Sequence, residues 1–269
     1  MSAAGTRGGD FRTGDRLYRV TDGDRLVHAI ARGDDLFEVD GDVFEGYRLL
    51  APIPGGLASV RRLAPVTPSK IVAVGLNYRD HAAEQGKPLP PEPLIFMKPS
   101  TCVIGPGDSI RLPRQVGRVD YEAEVGVVIR RRACRVPVSH AHEYVLGVTA
   151  VNDVTARDLQ RREQHYTRAK GFDTFAPMGP CVALGLDTSD LTVEGWVNGV
   201  RKQASSTRQL IFPVPELVAF ISAVMTLLPG DIISTGTPAG IGPLGTGDMV
   251  LIRVSGVGDL ENTVADQQE

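Results

Sequence analysis

The sequence has no apolar run long enough to cross a membrane, few cysteines and little net charge. No hydrophobic segment approaches the ~18 to 20 residues of a membrane span, and residues 1–10 (MSAAGTRGGD) lack the apolar core of a signal peptide. We interpret them as a flexible tail and expect a soluble, cytoplasmic protein. Three scattered cysteines without CxxC spacing argue against a disulfide framework or a thiolate zinc site. A net charge of −3 gives no general reason to bind nucleic acid or an anionic membrane.

Residues 11–66 have the texture of short strands separated by turns. The pairs Asp22-Gly23, Gly33-Asp34 and Asp40-Gly41 are spaced like hairpin turns. The following stretch, residues 50–68, carries four prolines and two adjacent glycines, which is typical of a linker. We therefore predict a small N-terminal subdomain over residues 11–66 and a catalytic domain over residues 67–269.

The rest of the chain is also rich in strand patterns. Buried-strand runs are KIVAVGLN, EVGVVI, YVLGVTAV, DIIST and MVLIRV, and three of the later strands are entered through Gly107-Asp108, Gly230-Asp231 and Gly247-Asp248. Helical spacing occurs over residues 80–85, before Gly86 and Pro88, and over residues 214–228. Strands without regular intervening helices argue against a doubly wound or TIM-type fold. The pattern predicts a mostly β, α+β protein.

The sequence DYEAEVGVVI places two carboxylates two residues apart on a predicted strand. Alternate residues share a strand face, so Glu122 and Glu124 point the same way, with Cα atoms ~6.7 Å apart. One interpretation is the solvated face of an amphipathic strand. The other is a cation site, because acidic groups at the end of a largely buried strand need a partner.

A third carboxylate, Asp153, follows the apolar strand YVLGVTAV. It either joins the same site or caps the helical turn that comes after it. Three carboxylates without a histidine form an all-oxygen ligand set, which favours Mg²⁺, Mn²⁺ or Ca²⁺ over zinc or copper. Because Mg²⁺ usually keeps positions open for water or substrate, such a site would be catalytic in style.

Two helical segments carry candidate catalytic and binding groups. His81 and Glu84 are three residues apart, close enough on a helix for the carboxylate to orient the imidazole as a base. Arg157 and Gln160 are likewise one turn apart and match the oxygens of a substrate carboxylate. Both pairs are also common on exposed helices, and the lone Lys170 has surface as its ordinary location.

The segment Ser234–Asp248 holds five glycines and three threonines. Its backbone N–H groups and hydroxyls can surround an oxyanion or carboxylate, although a glycine-rich hairpin explains it equally well. It lacks the GK[ST] of a phosphate-binding loop, so nucleotide binding is not supported. The HxH pair His140 and His142 stands alone among polar residues, and we interpret it as surface.

Taken together, these segments resemble the fumarylacetoacetate hydrolase family. The similarity runs from about Lys70 to the C-terminus, and its motifs come in a specific order. That order is NYRDH, FMKPST, the Glu122-x-Glu124 strand, NDVTARDLQ, AKGFD and PGDIISTGTPAGIG. The resemblance implies a mixed β-roll or sandwich with a small N-terminal β subdomain, and a homodimer.

The resemblance also implies a role for each candidate residue. The implied metal ligands are Glu122, Glu124 and Asp153, around Mg²⁺ or Mn²⁺. The implied catalytic groups are His81 and Glu84, as a water-activating pair on a short lid helix, and Lys170, which stabilises negative charge near the metal. Arg157, Gln160 and Thr237 would bind the substrate, with Thr235 and Lys98 as further candidates.

The chemistry follows from the divalent cation, which would act as a Lewis acid on the carboxylate and 2-oxo oxygens of a 2-oxo acid. For an acylpyruvate, a water deprotonated by His81, which Glu84 orients, would attack the distal carbonyl and the C–C bond would break. We therefore predict a metal-dependent hydrolase of acylpyruvates or fumarylacetoacetate-like acids.

Three alternatives remain. Decarboxylation of oxaloacetate, or isomerisation of a 2-hydroxy-dienedioate in aromatic-acid breakdown, uses the same metal site without an attacking water. A non-catalytic 2-oxo acid binding protein belongs to a different class. The His81/Glu84 pair favours hydrolysis, since binding alone needs no base.

Overall fold

The structure is a computed structural model and describes residues 11–163 and 165–267. The predicted flexible tail, residues 1–10, lies outside the described residues. Within them, no helix is both long and apolar enough to span a membrane.

The described residues form twenty strands and four α-helices. The strands of the first half are β1 (Arg16–Asp22), β2 (Arg25–Arg32), β3 (Asp35–Asp42), β4 (Gly46–Pro52), β5 (Arg61–Arg62), β6 (Ile71–Gly75), β7 (Leu94–Lys98), β8 (Val103–Ile104), β9 (Ser109–Leu112), β10 (Val119–Tyr121) and β11 (Ala123–Ile129). The later strands are β12 (Val145–Asn152), β13 (Thr155–Ala156), β14 (Ala176–Leu184), β15 (Thr192–Val197), β16 (Val200–Ser206), β17 (Ile232–Ser234), β18 (Gly242–Pro243), β19 (Met249–Val254) and β20 (Gly258–Asp266). The helices are α1 (Arg79–Glu84), α2 (Arg157–Arg162), α3 (Thr167–Lys170) and α4 (Val214–Val224).

The strands form three sheets. The largest has the order β4-β3-β2-β1-β14-β12-β11-β17-β6-β7, with β5 paired to β1 and β8 to β14. A five-stranded sheet (β16-β15-β19-β20-β9) packs on its central strands, and a short sheet (β13-β10-β18) lies beside them. The predicted fold class, mostly β and α+β, is confirmed. The N-terminal hairpins extend the large sheet, because β1 pairs with β14.

The core lies between the large sheet and the five-stranded sheet. Every residue of β11 and β14 is buried, and so is β12 from its second residue onward. These strands read as almost continuous apolar runs because helix or sheet covers both of their faces. A polar side chain at the end of such a strand is therefore held inside the molecule.

Three strand entries share one turn design, as the Gly-Asp pairs predicted. Gly107, Gly230 and Gly247 have positive φ values of 80°, 82° and 91°, which glycine adopts without steric cost. The aspartate after each glycine accepts a hydrogen bond from the backbone N–H three residues before it, at 2.9, 2.8 and 2.7 Å respectively. These turns lead directly into β9, β17 and β19.

Two of the three predicted N-terminal hairpin turns are in place, and the third prediction is wrong. Gly23 and Gly33 lie in turns, but Asp40 and Gly41 lie within β3, and the turn comes at residues 43–45. The ladder with β4 continues as far as Asp42 opposite Gly46. The Asp42 carboxylate then accepts the Phe44 N–H at 2.7 Å, so this side chain fixes the turn.

The long helix ends earlier than its apolar spacing predicts. α4 stops at Val224, and Met225 is extended, with φ −145° and ψ 148°. Leu227 then exchanges both backbone hydrogen bonds with Ala133, each at 2.9 Å. Backbone pairing of the segment to a loop therefore replaces the last predicted helical turn.

Candidate active site

Two of the predicted metal ligands lie where the chain passes between the short sheet, in which β10 pairs with β13, and the large sheet, in which β11 pairs with β12. Glu122 separates β10 from β11, and Asp153 lies between β12 and β13. The registers on either side, Ala123 opposite Asn152 and Asp120 opposite Thr155, make Glu122 and Asp153 direct cross-strand neighbours. The Asp153 N–H donates to the Glu122 carbonyl oxygen at 2.9 Å. Asp153 is therefore not a helix cap, since α2 begins four residues later.

Glu124 completes the cluster from β11. One oxygen of each of the three carboxylates lies within 4.8 Å of the others, and all three side chains are buried. The structure thus brings together Glu122, Glu124 and Asp153 as the sequence predicts. The solvated-face interpretation of the Glu122-x-Glu124 pair is wrong, because the strand carrying Glu124 is buried on both sides.

Three buried cations contact two of these carboxylates. Lys170 Nζ donates to Asp153 and, at 2.8 Å, to Glu122 Oε2. Lys98 Nζ donates to Asp153 Oδ1 at 2.5 Å, and the Arg157 guanidinium donates to Glu122 Oε1 at 2.5 Å. The Lys170 prediction placed this residue near the metal ligands, and it lies between two of them.

Glu124 has no cationic partner among the described residues. Its Oε2 accepts from the Ser234 hydroxyl at 2.6 Å and from the Gly236 N–H at 2.9 Å. Burial raises the pKa of Glu124 to about 8, and the nearby charges of Asp153 and Glu122 add to the effect. Glu124 is therefore the carboxyl group of the cluster that holds a proton most readily.

Glu122 and Lys170 are affected in the opposite sense. Burial alone would raise the pKa of Glu122, but the charges of Lys170 and Arg157 outweigh it and hold the pKa at about 2. Burial alone would lower the pKa of Lys170, but the charges of Asp153 and Glu122 raise it above its ordinary value. Both groups are therefore charged at neutral pH.

The donor set fits a hard divalent cation. Three convergent carboxylates, one of them without a countercharge, are the oxygen ligands that Mg²⁺ and Mn²⁺ prefer. The ionisation of Glu124 is unfavourable without a second positive charge close by. Glu122, Glu124 and Asp153 could hold such an ion, with Lys170 and Lys98 beside it.

His81 and Glu84 form the predicted pair on α1. His81 Nδ1 lies 3.0 Å from Glu84 Oε2, and the second oxygen of Glu84 accepts from the Gly240 N–H at 3.0 Å. The backbone N–H of His81 donates to Asp80 Oδ1 at 2.7 Å, while Asp80 Oδ2 accepts from Ser205. The imidazole is buried and faces the carboxylate cluster across a cavity of about 380 Å³.

The predicted substrate residues line the same cavity. Arg157, Gln160 and Thr237 all face it, and Arg157 also hydrogen-bonds to Gln160. Asp120 anchors Arg157 by accepting from its Nε at 2.8 Å. Thr235 does not reach the cavity, because it is fully buried and donates to the Val125 carbonyl at 3.0 Å.

The glycine-rich segment donates backbone hydrogen bonds to carboxylates of the protein. Its Gly236 N–H donates to Glu124 and its Gly240 N–H donates to Glu84, both within 3.0 Å. The Thr237 hydroxyl donates to the Ala123 carbonyl at 3.0 Å. The prediction that these N–H groups surround a substrate anion is therefore wrong for Gly236 and Gly240. Their geometry positions a metal-ligand candidate and the histidine's partner.

Lys98, a further candidate from the sequence, is fully buried against Asp153. Sequence reasoning missed other residues at this site. Asp120 was overlooked, although it precedes Glu122 by two residues and therefore extends the alternating acidic pattern. Gln85, Lys87 and Arg161 also line the cavity. No local pattern marks Lys98, because Leu94 and Met97 of the surrounding LIFMKP run are exposed. His140 and His142 are exposed, as predicted.

The sequence profile of the fumarylacetoacetate (FAA) hydrolase C-terminal family matches residues 70–265. The chain belongs to the fumarylacetoacetate hydrolase family. Members of this family are enzymes of more than one reaction type, among them isomerases, hydrolases and tautomerases. Membership therefore establishes an enzyme family and leaves the reaction open.

Relatives of this family carry different activities in their names. The chain is 41% identical over 220 residues to the mitochondrial oxaloacetate tautomerase FAHD2A of Bos taurus. The aligned region covers 77% of this chain and 70% of the bovine protein. A crystal structure of 2-hydroxyhepta-2,4-diene-1,7-dioate isomerase from Mycobacterium marinum has a TM-score of 0.87 and 40% identity, with 94% of this chain and 99% of that chain covered. Maleylpyruvate hydrolase from Sphingobium sp. SYK-6, in complex with manganese (II) and pyruvate, has a TM-score of 0.77 and 29% identity, covering 94% and 100%.

Proposed function

We propose that this chain catalyses metal-dependent enolisation of a small 2-oxo dicarboxylate. The reaction exchanges the keto form of the acid with its enol form or, for a dienoate, exchanges two isomers. The observation that carries the proposal is the convergence of Glu122, Glu124 and Asp153 within 4.8 Å, in a cavity that the His81 imidazole also lines. A bound Mg²⁺ or Mn²⁺ would supply Lewis acidity, which favours the enolate form of a 2-oxo acid. The names of the bovine and mycobacterial relatives support exchange ahead of hydrolysis.

Each residue around the cavity has a task in this reaction. The Arg157 guanidinium and the Gln160 amide are placed to bind a substrate carboxylate through charge-assisted hydrogen bonds. The protonated Lys170 amine supplies positive charge beside the oxygen that becomes negative. His81, held by Glu84, takes the proton from the carbon next to the 2-oxo group and then delivers it to the 2-oxo oxygen, which gives the enol with atoms and charge balanced.

The rim of the cavity supports a second substrate carboxylate. Apart from the carboxylate cluster and the Tyr166 phenol, the ionisable side chains that line the cavity are basic: His81, Lys87, Arg157, Arg161 and Lys170. Lys87 and Arg161 are exposed and have no ion-pair partner among the described residues. Phe96 and Tyr166 also line the cavity, and their rings meet edge to face at 5.3 Å. A short apolar chain ending in a carboxylate fits this arrangement.

Arg161→Gln is expected to raise the KM for oxaloacetate about tenfold, about 1.4 kcal/mol, because the distal carboxylate loses its countercharge. The KM for acetylpyruvate, which has no distal carboxylate, should change less than twofold. Steady-state kinetics with Mg²⁺ measure both values. Arg162→Gln is the matched control, since this neighbouring arginine lies outside the cavity and pairs with Glu163. Equal effects of Arg161→Gln on both substrates would contradict the assignment.

C–C hydrolysis of an acylpyruvate or fumarylacetoacetate-like acid, the reaction predicted from the sequence, is the second candidate. The intact His81–Glu84 pair favours it, because that pair is built to activate a water. Product analysis separates the two candidates. Hydrolysis releases pyruvate from acetylpyruvate, whereas enolisation changes the ultraviolet absorbance of enol-oxaloacetate without cleaving it. A panel of 2-oxo acids tests the third hypothesis. If EDTA abolishes no reaction of any acid in the panel, the result favours a non-catalytic 2-oxo acid binding protein.

His81→Gln is expected to lower kcat by about 10² to 10⁴, because both candidate reactions need the imidazole to carry a proton. The assay is whichever reaction, enolisation or hydrolysis, the natural chain performs with Mg²⁺. His142→Gln, at an exposed histidine outside the cavity, should keep full activity. Full turnover in His81→Gln would exclude His81 as the base.

A further inference from the structure

Both ring nitrogens of His81 are occupied by residues of its own helical segment. Glu84 holds Nδ1 at 3.0 Å, and the side-chain nitrogen of Gln85 lies 2.7 Å from Nε2. A carboxylate only accepts hydrogen bonds, so Nδ1 carries the ring proton and donates. Nε2 is then the acceptor, and Gln85 donates to it. The lone pair that must receive a proton during turnover is therefore already occupied.

The two contacts differ in how firmly they are held. The Gly240 N–H fixes the second oxygen of Glu84 at 3.0 Å. Gln85 is exposed, and its side chain has no other hydrogen bond among the described residues. Its position follows from the end of α1, where Gly86 takes a φ of 62° one residue after Gln85. Of the two contacts, the Gln85 contact breaks at the lower cost.

Gln85 also shares with His81 the cavity in which we propose that substrate binds. Both His81 and Gln85 line the cavity that contains the carboxylate cluster. Each ring nitrogen offers a single in-plane position for a partner. Water or substrate can reach Nε2 only after the Gln85 amide has moved away.

We infer that Gln85 is a positioning residue that occupies His81 Nε2 in the free protein and gives way to the reacting molecule. This inference rests on the proposed role of His81 as proton carrier. The contact keeps the imidazole in the tautomer that Glu84 requires and excludes water from the base between turnovers. Removing the amide should expose His81 Nε2 to substrate, while the hydrogen bond to Glu84 continues to orient the imidazole.

The kinetic test is Gln85→Met, which keeps the side-chain length and removes the donor. The expected result is a two- to tenfold rise in kcat/KM with oxaloacetate or acetylpyruvate and Mg²⁺, the size of one partly exposed neutral hydrogen bond. A lower KM in Gln85→Met would mean that substrate displaces Gln85 as it enters the cavity. A higher kcat would mean that Gln85 leaves the imidazole only after substrate has bound. Gln209→Met, at an exposed glutamine outside the cavity, should change nothing. A fall in kcat/KM of tenfold or more would overturn the inference, since Gln85 would then hold substrate.

A spectroscopic test needs no turnover. In protein labelled with ¹⁵N-histidine, the Nε2 resonance of His81, assigned by its loss in His81→Gln, reports whether its lone pair accepts a hydrogen bond. Gln85→Met should move this resonance towards that of a free acceptor nitrogen. An identical resonance in both proteins would overturn the inference. If no 2-oxo acid reacts but the resonance moves, the proposed function fails while the contact stands.

Discussion

Glu124→Gln is expected to abolish tight binding of Mn²⁺ and to lower metal-dependent activity about a thousandfold. The substitution removes one of the three buried carboxylates proposed to hold the ion, and a thousandfold loss of rate corresponds to about 4 kcal/mol of transition-state stabilisation. Isothermal calorimetry with Mn²⁺ and a rate assay at saturating Mn²⁺ measure the two effects. Glu216→Gln, an exposed site on α4, is the control. Unchanged Mn²⁺ affinity would remove Glu124 from the ligand set.

The same substitution should stabilise the metal-free protein at alkaline pH. Burial, with the charges of Asp153 and Glu122, raises the pKa of Glu124 from its ordinary 4.5 to about 8. The folded chain binds this proton more tightly than the unfolded chain does. The stabilisation is therefore fully present below about pH 4.5 and is lost as the pH rises through about 8.

Glutamine does not ionise, so the variant escapes this loss. In EDTA at about pH 9 its Tm should exceed that of the natural chain, and at about pH 5 the difference should shrink. With Mn²⁺ the order should reverse, because only the natural chain gains stability by binding the ion. Thermal melts across this range give the answer. A lower Tm for the metal-free variant at pH 9 would show that Glu124 has a countercharge.

Lys170→Met should lower both stability and turnover. The Lys170 amine bonds to Glu122 and Asp153, all three side chains are buried, and removing one partner of such a cluster costs about 3 to 5 kcal/mol. The free energy of unfolding, from urea denaturation in EDTA, should fall by that amount. The kcat should also fall about a hundredfold or more, since the amine no longer stabilises the developing negative charge.

Added Mn²⁺ separates these two effects. The ion replaces positive charge between the carboxylates and should restore a large part of the lost stability, but not the lost turnover. Lys202→Met, at an exposed lysine, is the matched control. If Lys170→Met unfolds at the same urea concentration as the natural chain in EDTA, the amine is not paired with the carboxylates in solution.

The cluster of three carboxylates was predictable because it depends on local rules. Alternation along a strand puts Glu122 and Glu124 on one face, and a buried strand end before Asp153 marks the third group. What the sequence does not give is the cross-strand register that sets Glu122 opposite Asp153. That register comes from pairing β10 with β13 and β11 with β12, residues about thirty positions apart.

The burial of Lys98 depends on longer-range pairing. Lys98 reaches Asp153 from β7, which is linked to β11 only through β6 and β17. A single lysine in a sequence is ordinarily exposed, and no local pattern marks one whose amine is fully buried. Likewise, the glycine-rich segment offers N–H groups, but only the fold determines that Glu124 and Glu84 receive them. Composition identifies the donors and not their acceptors.

The pairing of β1 with β14 bears on how the chain can be divided. The predicted subdomain, residues 11–66, contributes four strands in series and β5 to the sheet that carries β11 and β12. Cutting after residue 66 would leave Val182 and Ala183 of β14 with unsatisfied backbone groups along a hydrophobic edge. A shortened chain would offer that edge to other copies of itself, so the N-terminal hairpins protect the large sheet from self-association.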